Sequence, residues 1–427
     1  MKVLFVTNVY TPHVGGVARS VEAFTKQLRH LGVEVFIVAP EFENMPEQEE
    51  NVMRVAALQH FNGSDFSVVY PFTGKLRQAV NHFAPDVIHS HHPFLLGATA
   101  MRMARIENKP LVFTHHTMYE DYTHYVPGDS EALKRFTIQL ATSYANMAQA
   151  VIAPSASTRD VLTSRGVTTP IHVVPTGVAL DRFELGSGSG FRDIMGIPRD
   201  VRVIGHVGRL APEKNLHFLT EAVIELMKRR YDVWFLYVGS GPVGTQMLEM
   251  FEQAGVSQRV CWPGALQGRF LTSAYKAMDL FAFASITETQ GMVLTEAMAA
   301  GTPVVAINAP GAREVVRDGI NGRLLSEPSR QDYCNALEHT IKEAPNWTQS
   351  CKETARDYSI GVSTHKLLEL YQYLIDFGHP YDAGKDDAWH KSMRFIAAEW
   401  EIIKGVANAA DVAMSTLEES NEVNVSV

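Results

Sequence analysis

Residues 281–305 read FAFASITETQGMVLTEAMAAGTPVV. The apolar run Leu280 to Ala284 has the length and density of a buried parallel strand, and Met292 to Ala300 follows with helical spacing that stops at Gly301 and Pro303. The segment is therefore strand, loop and helix, with Glu288 in the loop and Glu296 on the helix. A helix beginning at Gly291, Met292 and Val293 turns unpaired backbone N–H groups and the positive end of its dipole toward any phosphate placed there. A carboxylate one or two turns along can accept protons from ribose hydroxyls, and a carboxylate in the loop can do the same for a sugar. Spacing alone carries little weight, because two glutamates fall this far apart about once or twice by chance in such a chain. A solvated helix face would look the same.

A second loop changes the balance. HVGRLAPEKN, residues 206–215, follows the apolar strand Val201 to Val207. Gly208 lets the backbone approach a ligand closely, Arg209 can fork onto phosphate oxygens, and Lys214 adds a point charge without rigid geometry. Strand, glycine, arginine and lysine recur as a set, and together with the first segment they read as a nucleotide-sugar site. On these two segments, in this order, the chain resembles the retaining glycosyltransferases of family four. The resemblance covers roughly residues 1–375 and implies an α/β fold of the GT-B type, two doubly wound Rossmann-like domains facing across a cleft. It also implies retention at the anomeric carbon and UDP-glucose as donor.

Composition narrows the alternatives. A chain of 427 residues exceeds what one hydrophobic core usually organises, so two domains are expected. A formal net charge of -9, with no lysine-arginine stripe among aromatics, argues against nucleic acid as a partner. The three cysteines, Cys261, Cys334 and Cys351, have no C-x-x-C spacing, which fits neither a disulfide framework nor a zinc module and suits a reducing cytoplasm. Met1 and Lys2 run straight into the strand VLFVTNV without a charged leader, and no apolar run approaches membrane-spanning length. The expectation is a cytoplasmic protein, free or peripheral on the inner face of the cell membrane.

Strand-like runs at Val3 to Val9, Val33 to Ala39, Val87 to Ser90, Leu111 to Thr114 and Ala150 to Ser155 alternate with helical patterns at Gly16 to Leu31, Thr73 to Phe83 and Leu95 to Asn108. That alternation predicts a parallel sheet, completed by IHVVPTG near 171–177, and the rhythm restarts at Val201. The string GSGSG, Gly186 to Gly190, reads as a flexible join. The expected domains are 1–183 on the acceptor side, 184–378 for the nucleotide sugar, and a helical extension over 379–427. Within that extension Trp389, Met393, Ile396, Trp400, Ile403 and Val406 recur at three- and four-residue intervals, the mark of an amphipathic helix. Packing back on the first domain is its expected role, with contact to a lipid surface as the alternative. The last stretch, STLEESNEVNVSV, reads as polar and disordered.

The first strand leads into NVYTPHVGGVARS, where Gly15 and Gly16 open the next helix. Paired glycines there let a backbone touch a phosphate or the transferred sugar, although an ordinary strand-to-helix turn also uses glycine. Histidines cluster at His89, His91 and His92 and again at His115 and His116. His89 and His91 share a strand face, yet without cysteines or close carboxylates a metal site is not expected, and satisfied polar residues at the sheet edge are the preferred reading. His116 stands apart. In LVFTHHTMYEDYTHY it occupies the T-x-H position where similar enzymes place a histidine beside the donor sugar, able to hydrogen-bond a hydroxyl or buffer charge.

The same segment, through Thr117, Met118, Tyr119, Glu120, Asp121, Tyr122, His124 and Tyr125, resembles the HTMYEDY-x-HY loop of bacterial diacylglycerol alpha-glucosyltransferases within the larger family. The resemblance implies a hydroxyl acceptor on a membrane lipid such as diacylglycerol. Tyrosine has one apolar and one wet side, which suits a bilayer interface or a domain contact. Lys75, Arg77 and His82, then Arg102, Arg105 and Lys109, offer modest positive charge for anionic lipid.

In this reading Arg209, Lys214 and the helix start at Gly291 to Val293 neutralise the departing diphosphate, Glu288 holds sugar hydroxyls and Glu296 the ribose. No Asp-x-Asp pair occurs, so no metal and no cofactor are expected beyond the UDP-sugar substrate. Loops at Gly239 to Gly241 and Val260 to Gly264 are candidates for the base. The alternatives are the same chemistry on a soluble or polysaccharide acceptor, and a sugar-nucleotide epimerase or silent binder on the same fold.

Overall fold

Strands of an all-parallel sheet are covered on both faces, and Val87–Ser90, Leu111–Thr114, Ala150–Ala153, Leu280–Phe283 and Val304–Ile307 each bury every residue. The structure, a computed structural model, describes residues 1–13, 15–58, 68–69, 74–120, 130–378 and 388–423, with backbone only at 58, 68–69, 388–391 and 414–423. Contacts divide the chain into two compact units, Met1–Pro175 with Ser363–Val427, and Thr176–Val362.

The first unit runs β1 (Lys2–Val6), α1 (Gly16–His30), β2 (Glu34–Pro40), β3 (Val52–Val55), β4 (Ala57–Leu58), β5 (Val68–Val69), α2 (Gly74–Phe83), β6 (Val87–Ser90), α3 (Leu96–Ile106), β7 (Leu111–Thr114), α4 (Glu131–Met147), β8 (Ala150–Ala153), α5 (Ala156–Ser164) and β9 (Ile171–Val173). Its parallel sheet has the order β3-β2-β1-β6-β7-β8-β9, so the winding direction changes between β1 and β6. His89 therefore stands at the carboxyl end of a central strand, not at the lateral edge of the sheet.

The second unit runs α6 (Asp181–Glu184), α7 (Gly188–Met195), β10 (Arg202–Val207), α8 (Leu216–Arg229), β11 (Val233–Val238), α9 (Gly244–Gln253), β12 (Val260–Cys261), α10 (Gly268–Ala277), β13 (Leu280–Phe283), α11 (Met292–Ala299), β14 (Val304–Ile307), α12 (Ala312–Val315), β15 (Gly322–Leu325) and α13 (Arg330–Asp357). Its parallel sheet, β12-β11-β10-β13-β14-β15, changes direction between β10 and β13. The chain then enters α14 (Ile360–Phe377), which carries it back into the first unit, and ends in α15 (Ala388–Val423).

Two local expectations are overturned. Gly186 to Gly190 is not a flexible join: the Ser187 hydroxyl accepts the Gly190 N–H at 3.2 Å and caps α7. A β-carbon on Gly188 would stand 2.2 Å from the Lys276 carbonyl oxygen, so glycine serves close packing against α10. The divisions fall instead after Pro175 and after Val362. The polar tail is also not wholly irregular, since the backbone stays helical through Val423. Residues 414–423 contain neither glycine nor proline, and a helix already nucleated propagates through them.

α15 packs on α3 and α4. Ala398, Gly405 and Ala409 are buried, and a β-carbon on Gly405 would meet Met147 and Ser143 at 3.2 and 3.3 Å, so small residues let the helices approach closely. Arg102 and Arg105 of α3 are paired with Glu399 and Glu401 of α15. Their charge is thus engaged within the protein instead of being offered to lipid, as the sequence reading had expected.

One buried hydroxyl shapes the second sheet. Tyr333 of α13 accepts the Phe283 N–H at 2.9 Å and donates to the Val305 carbonyl at 2.8 Å, inserting its oxygen between β13 and β14. Tyr333→Phe would leave two buried backbone groups without that partner. It is expected to cost about 2 kcal/mol, read as a lower urea midpoint at an unchanged m value.

Candidate active site

Open parallel sheets bind ligands outside the carboxyl ends of their strands, where the winding direction changes. In the second unit that point lies between β10 and β13, paired through Ile204 with Leu280 and Gly205 with Phe281. The two loops that leave these strands are the two singled out in the sequence. They are joined side to side: Lys214 Nζ lies 2.6 Å from Glu288 Oε1, the Asn215 side chain donates to the Ala284 carbonyl at 3.2 Å, and the Thr287 hydroxyl donates to the Glu213 carbonyl at 3.3 Å. The Lys214 and Glu288 side chains are only 17% and 20% exposed, so this ion pair is partly withdrawn from water, while Arg209 is exposed.

The loop after β13 is gripped from behind. Gln290 is buried, and its amide accepts the Thr176 N–H and donates to the Thr176 carbonyl, both at 2.7 Å. Gly311, at φ +79, lies so close that a β-carbon would stand 3.0 Å from the Glu288 carbonyl oxygen. Gly291 caps α11 at φ +69, a left-handed conformation that suits glycine. The Leu294 N–H turns back to the Gly291 carbonyl at 2.9 Å, and the helix geometry aims the N–H groups of Met292 and Val293 out of its end. Glu296, one turn into the helix, accepts a hydrogen bond from Tyr275 at 2.6 Å. One of its oxygens is thereby oriented.

The loops named for a base meet here too. Gly239 donates its N–H to the Gly264 carbonyl at 2.9 Å, and Trp262 Nε1 donates to the Gly239 carbonyl at 2.8 Å while stacking on Tyr237 with ring centres 5.1 Å apart. A β-carbon on Gly239 would stand 1.9 Å from the Gly208 carbonyl oxygen, so this glycine is what lets the loops after β10 and β11 touch. Two residues inside the named segments were not singled out in the sequence. Trp262 was hidden inside an ordinary-looking turn. His206 lies on β10 beneath Gly208, with Nδ1 bonded to the Ala282 carbonyl at 3.0 Å. That carbonyl can only accept, so His206 carries its proton on Nδ1, and burial pushes its pKa down to about 4.

In the first unit the winding changes between β1 and β6, and the loops leaving those strands carry Gly15 and His91. Gly15 precedes α1 in extended backbone, Gly16 is its first residue, and a β-carbon on Gly15 would meet His13 Nε2 at 3.2 Å. The Asn8 side chain accepts the Leu96 N–H at 3.1 Å and donates to the Phe94 carbonyl at 3.0 Å, and its backbone N–H donates to His92 Nδ1 at 3.1 Å. His89 and His91 stack with centres 4.3 Å apart, and His91 Nδ1 lies 3.0 Å from His116 Nε2. Both His89 nitrogens meet hydroxyls, Tyr371 at 2.5 Å and Thr114 at 2.6 Å. Tyr371 comes from α14, so the returning segment completes this column.

His91 Nε2 is buried without a hydrogen-bond partner. A bare nitrogen in that position costs less than an orphaned N–H. The favoured tautomer therefore has His91 donating from Nδ1 to His116 Nε2, which leaves the His116 proton on Nδ1. Burial lowers the pKa of His91 and His116 well below the ordinary imidazole value and that of His89 and His115 to about 3. Among the described residues no group of three or more histidine, cysteine or acidic side chains could hold a metal ion. After His116, Glu120 pairs with Arg165, and Tyr119 packs edge-on against Phe94 and His115. Asp121, Tyr122, His124 and Tyr125 lie outside the described residues, as does Val14 beside Gly15.

Two Rossmann-like parallel sheets of seven and six strands, with glycine, basic and acidic residues in the loops at the winding change of the second, define a glycosyltransferase of the GT-B class. The family profiles described as Glycosyltransferase Family 4 and Glycosyl transferases group 1 match residues 14–182 and 190–358. The chain belongs to glycosyltransferase family 4 and is a retaining enzyme that takes a nucleotide-sugar donor. It is 26% identical over 395 residues to the alpha-monoglucosyldiacylglycerol synthase of Streptococcus pneumoniae, covering 91% of this chain and 89% of that one. It is 30% identical over 317 residues to the D-inositol 3-phosphate glycosyltransferase of Actinosynnema mirum, covering 71% and 75%. The structure of Anabaena HepE in complex with UDP-glucose is similar with a TM-score of 0.67 at 21% identity, covering 88% of this chain and 100% of that one. No helix among the described residues is long and apolar enough to cross a membrane.

The buried neutral histidines make a pH prediction. Between about 3 and 6.5 the unfolded chain binds protons that the folded chain refuses, so their contribution to stability is complete above 6.5 and is lost as the pH falls toward 3. The urea midpoint should already decline between pH 6.5 and about 5, before carboxylates titrate. A flat midpoint across that window would contradict the assignment. For the loop contact, Gly239→Ala should lower donor affinity about tenfold or more by prising the loops after β10 and β11 apart, measured by UDP titration calorimetry.

Proposed function

We propose that the enzyme transfers glucose from UDP-glucose to a hydroxyl of a membrane lipid, diacylglycerol being the first candidate. The observation that carries the chemistry is the contact between Lys214 and Glu288 at the start of two adjoining loops, beside the N-terminus of α11. In the unliganded protein each neutralises the other. When a donor enters, its diphosphate takes Lys214 together with exposed Arg209 and the N–H groups of Met292 and Val293, and Glu288 turns to the sugar hydroxyls. Gly208 admits the phosphate backbone, and Glu296, oriented by Tyr275, receives the ribose. Gly15, Gly16 and His116 are assigned to the transferred sugar. Trp262 and the loops it joins are assigned to the base.

During transfer the bond from C1 to the diphosphate oxygen breaks, the acceptor oxygen bonds to C1 on the same face, and the acceptor proton passes to the departing phosphate. Charge grows on the leaving group, and preorganised cations and N–H dipoles stabilise it more than they stabilise the bound donor. The lipid acceptor is supported by the Streptococcus pneumoniae relative, which matches along nearly the whole chain, and by the stretch Thr117 to Glu120. A second reading, a soluble polyol phosphate as acceptor, is favoured by the Actinosynnema mirum relative, whose identity is higher over a shorter span.

UDP release with labelled UDP-glucose, measured against diacylglycerol vesicles and inositol phosphate in parallel, separates the two. Lipid-dependent release is expected, and equal rates with the soluble polyol would remove the lipid reading. Arg209→Ala and Lys214→Ala should each lower kcat about a hundredfold or more, because each removes charge stabilisation that matters most in the transition state. Activity is expected to persist in EDTA, since Arg209, Lys214 and the α11 N-terminus carry the diphosphate charge.

A further inference from the structure

Exposed large hydrophobic side chains lie scattered over the described surface except on α15, which carries six between 393 and 406: Met393, Phe395, Ile396, Trp400, Ile403 and Val406. Ile396, Trp400 and Ile403 are 59, 58 and 55% exposed. At 3.6 residues per turn the six cover roughly 160° of the helix circumference. The opposite side is already used, since Ala398, Gly405 and Ala409 are buried where α15 meets α3 and α4. α15 is thus apolar inward, where it completes the core, and apolar outward, where no described element covers it.

The character of the outward side indicates what covers it. A seam between two helices needs only a narrow stripe of positions, and this arc is much wider. The two acidic residues between 393 and 406, Glu399 and Glu401, are both paired with arginines of α3, so no uncompensated carboxylate interrupts the face. The basic residue left outward is Lys404, whose ammonium lies over the Trp400 ring at 5.4 Å from its centre. Further positive charge borders the start of the helix. Arg394 donates to the Ile106 carbonyl at the end of α3, and Ile106 and Met103 share a shallow hollow with Arg77 and Val80 of α2, which exposes Lys75 and Arg77. A broad apolar arc with an aromatic-lysine pair at its border and basic residues at its flank is the composition of a helix lying in the headgroup region of a bilayer, with lysine stems reaching back to water.

We propose that the outer face of α15 is a lipid-surface docking site, holding the enzyme in the plane of a membrane without spanning it. The inference is independent of the acceptor, because an enzyme acting on a soluble polyol would still bind vesicles through this helix. The test is flotation of the full chain with vesicles of phosphatidylcholine, alone and mixed with phosphatidylglycerol, in the absence of donor and acceptor. The chain should float with both and more strongly with the anionic mixture. An Ile396→Ser, Ile403→Ser double variant should lose vesicle partition by about tenfold or more while keeping the wild-type urea midpoint and UDP affinity. Tryptophan emission should shift to the blue on vesicles in the wild type, and the shift should be smaller in Trp400→Phe, which still floats. Equal partition of the double variant, or an unchanged shift in Trp400→Phe, overturns the proposal. So does light scattering that shows a dimer broken by the double variant with no vesicle binding, because the face would then belong to a second copy. Turnover of diacylglycerol in detergent micelles reads the acceptor separately, so a soluble-acceptor result there leaves the docking result standing.

Discussion

Hydrogen bonding between β10 and β13 is the constraint on which the rest depends. These strands are far apart in sequence, and their pairing at Ile204 with Leu280 fixes where the loops that follow them emerge. Because the sheet winds outward in both directions from this pair, no helix crosses above it and the two loops are left facing one another. Lys214 and Glu288 then meet, Asn215 reaches the Ala284 carbonyl, and the start of α11 lies at the end of the same loop. A lysine and a glutamate held at 2.6 Å and largely out of water interact more strongly than a surface pair, yet neither is so buried that a polyanion could not compete for the lysine. That intermediate exposure is what the proposed transfer of Lys214 from Glu288 to a diphosphate requires.

The first unit solves a different electrostatic problem. Its histidines lie where a dry interior disfavours charge, and they remain neutral by bonding to hydroxyls and to one another. The column has consequences for order: His89 is fixed at both nitrogens, His91 stacks on it, and His116 is oriented by His91. Tyr371, contributed by the segment that returns after the second unit, anchors the far end. The C-terminal stretch is therefore more than an appendage, because α14 orients a residue next to the candidate site and α15 closes the core against α3 and α4.

Much of this was legible in the residues because parallel sheets write themselves plainly. A strand buried on both faces must be a short apolar run, so Val87–Ser90, Leu111–Thr114 and Leu280–Phe283 could be placed to within a residue. Short or half-exposed strands such as Val52–Val55 and Val260–Cys261 left no comparable trace, since neighbours rather than their own pattern hold them. Gly186 to Gly190 misled because composition cannot distinguish glycine used for flexibility from glycine used for contact, and only Lys276 on the other side decides. Arg102 and Arg105 misled for the same reason, their partners lying almost three hundred residues away.

The order of residues alone determined the class of chemistry, because glycine, arginine, lysine and glutamate after apolar strands supply a fixed kit of dipoles and charges wherever the strands end. It also determined that two sheets form, since each apolar run has to be covered and the helical stretches between them supply the cover. Only the tertiary structure decided which members of the kit meet: Lys214 with Glu288, Tyr275 with Glu296, Trp262 with Gly239, and His91 with His116. Only it showed that the last helix is apolar on both sides, one of them turned to solvent. The physical reason is that side-chain identity sets what a group can bind, whereas Coulomb attraction, hydrogen bonding and burial act over a few ångströms and depend on which distant segments the sheet order makes neighbours.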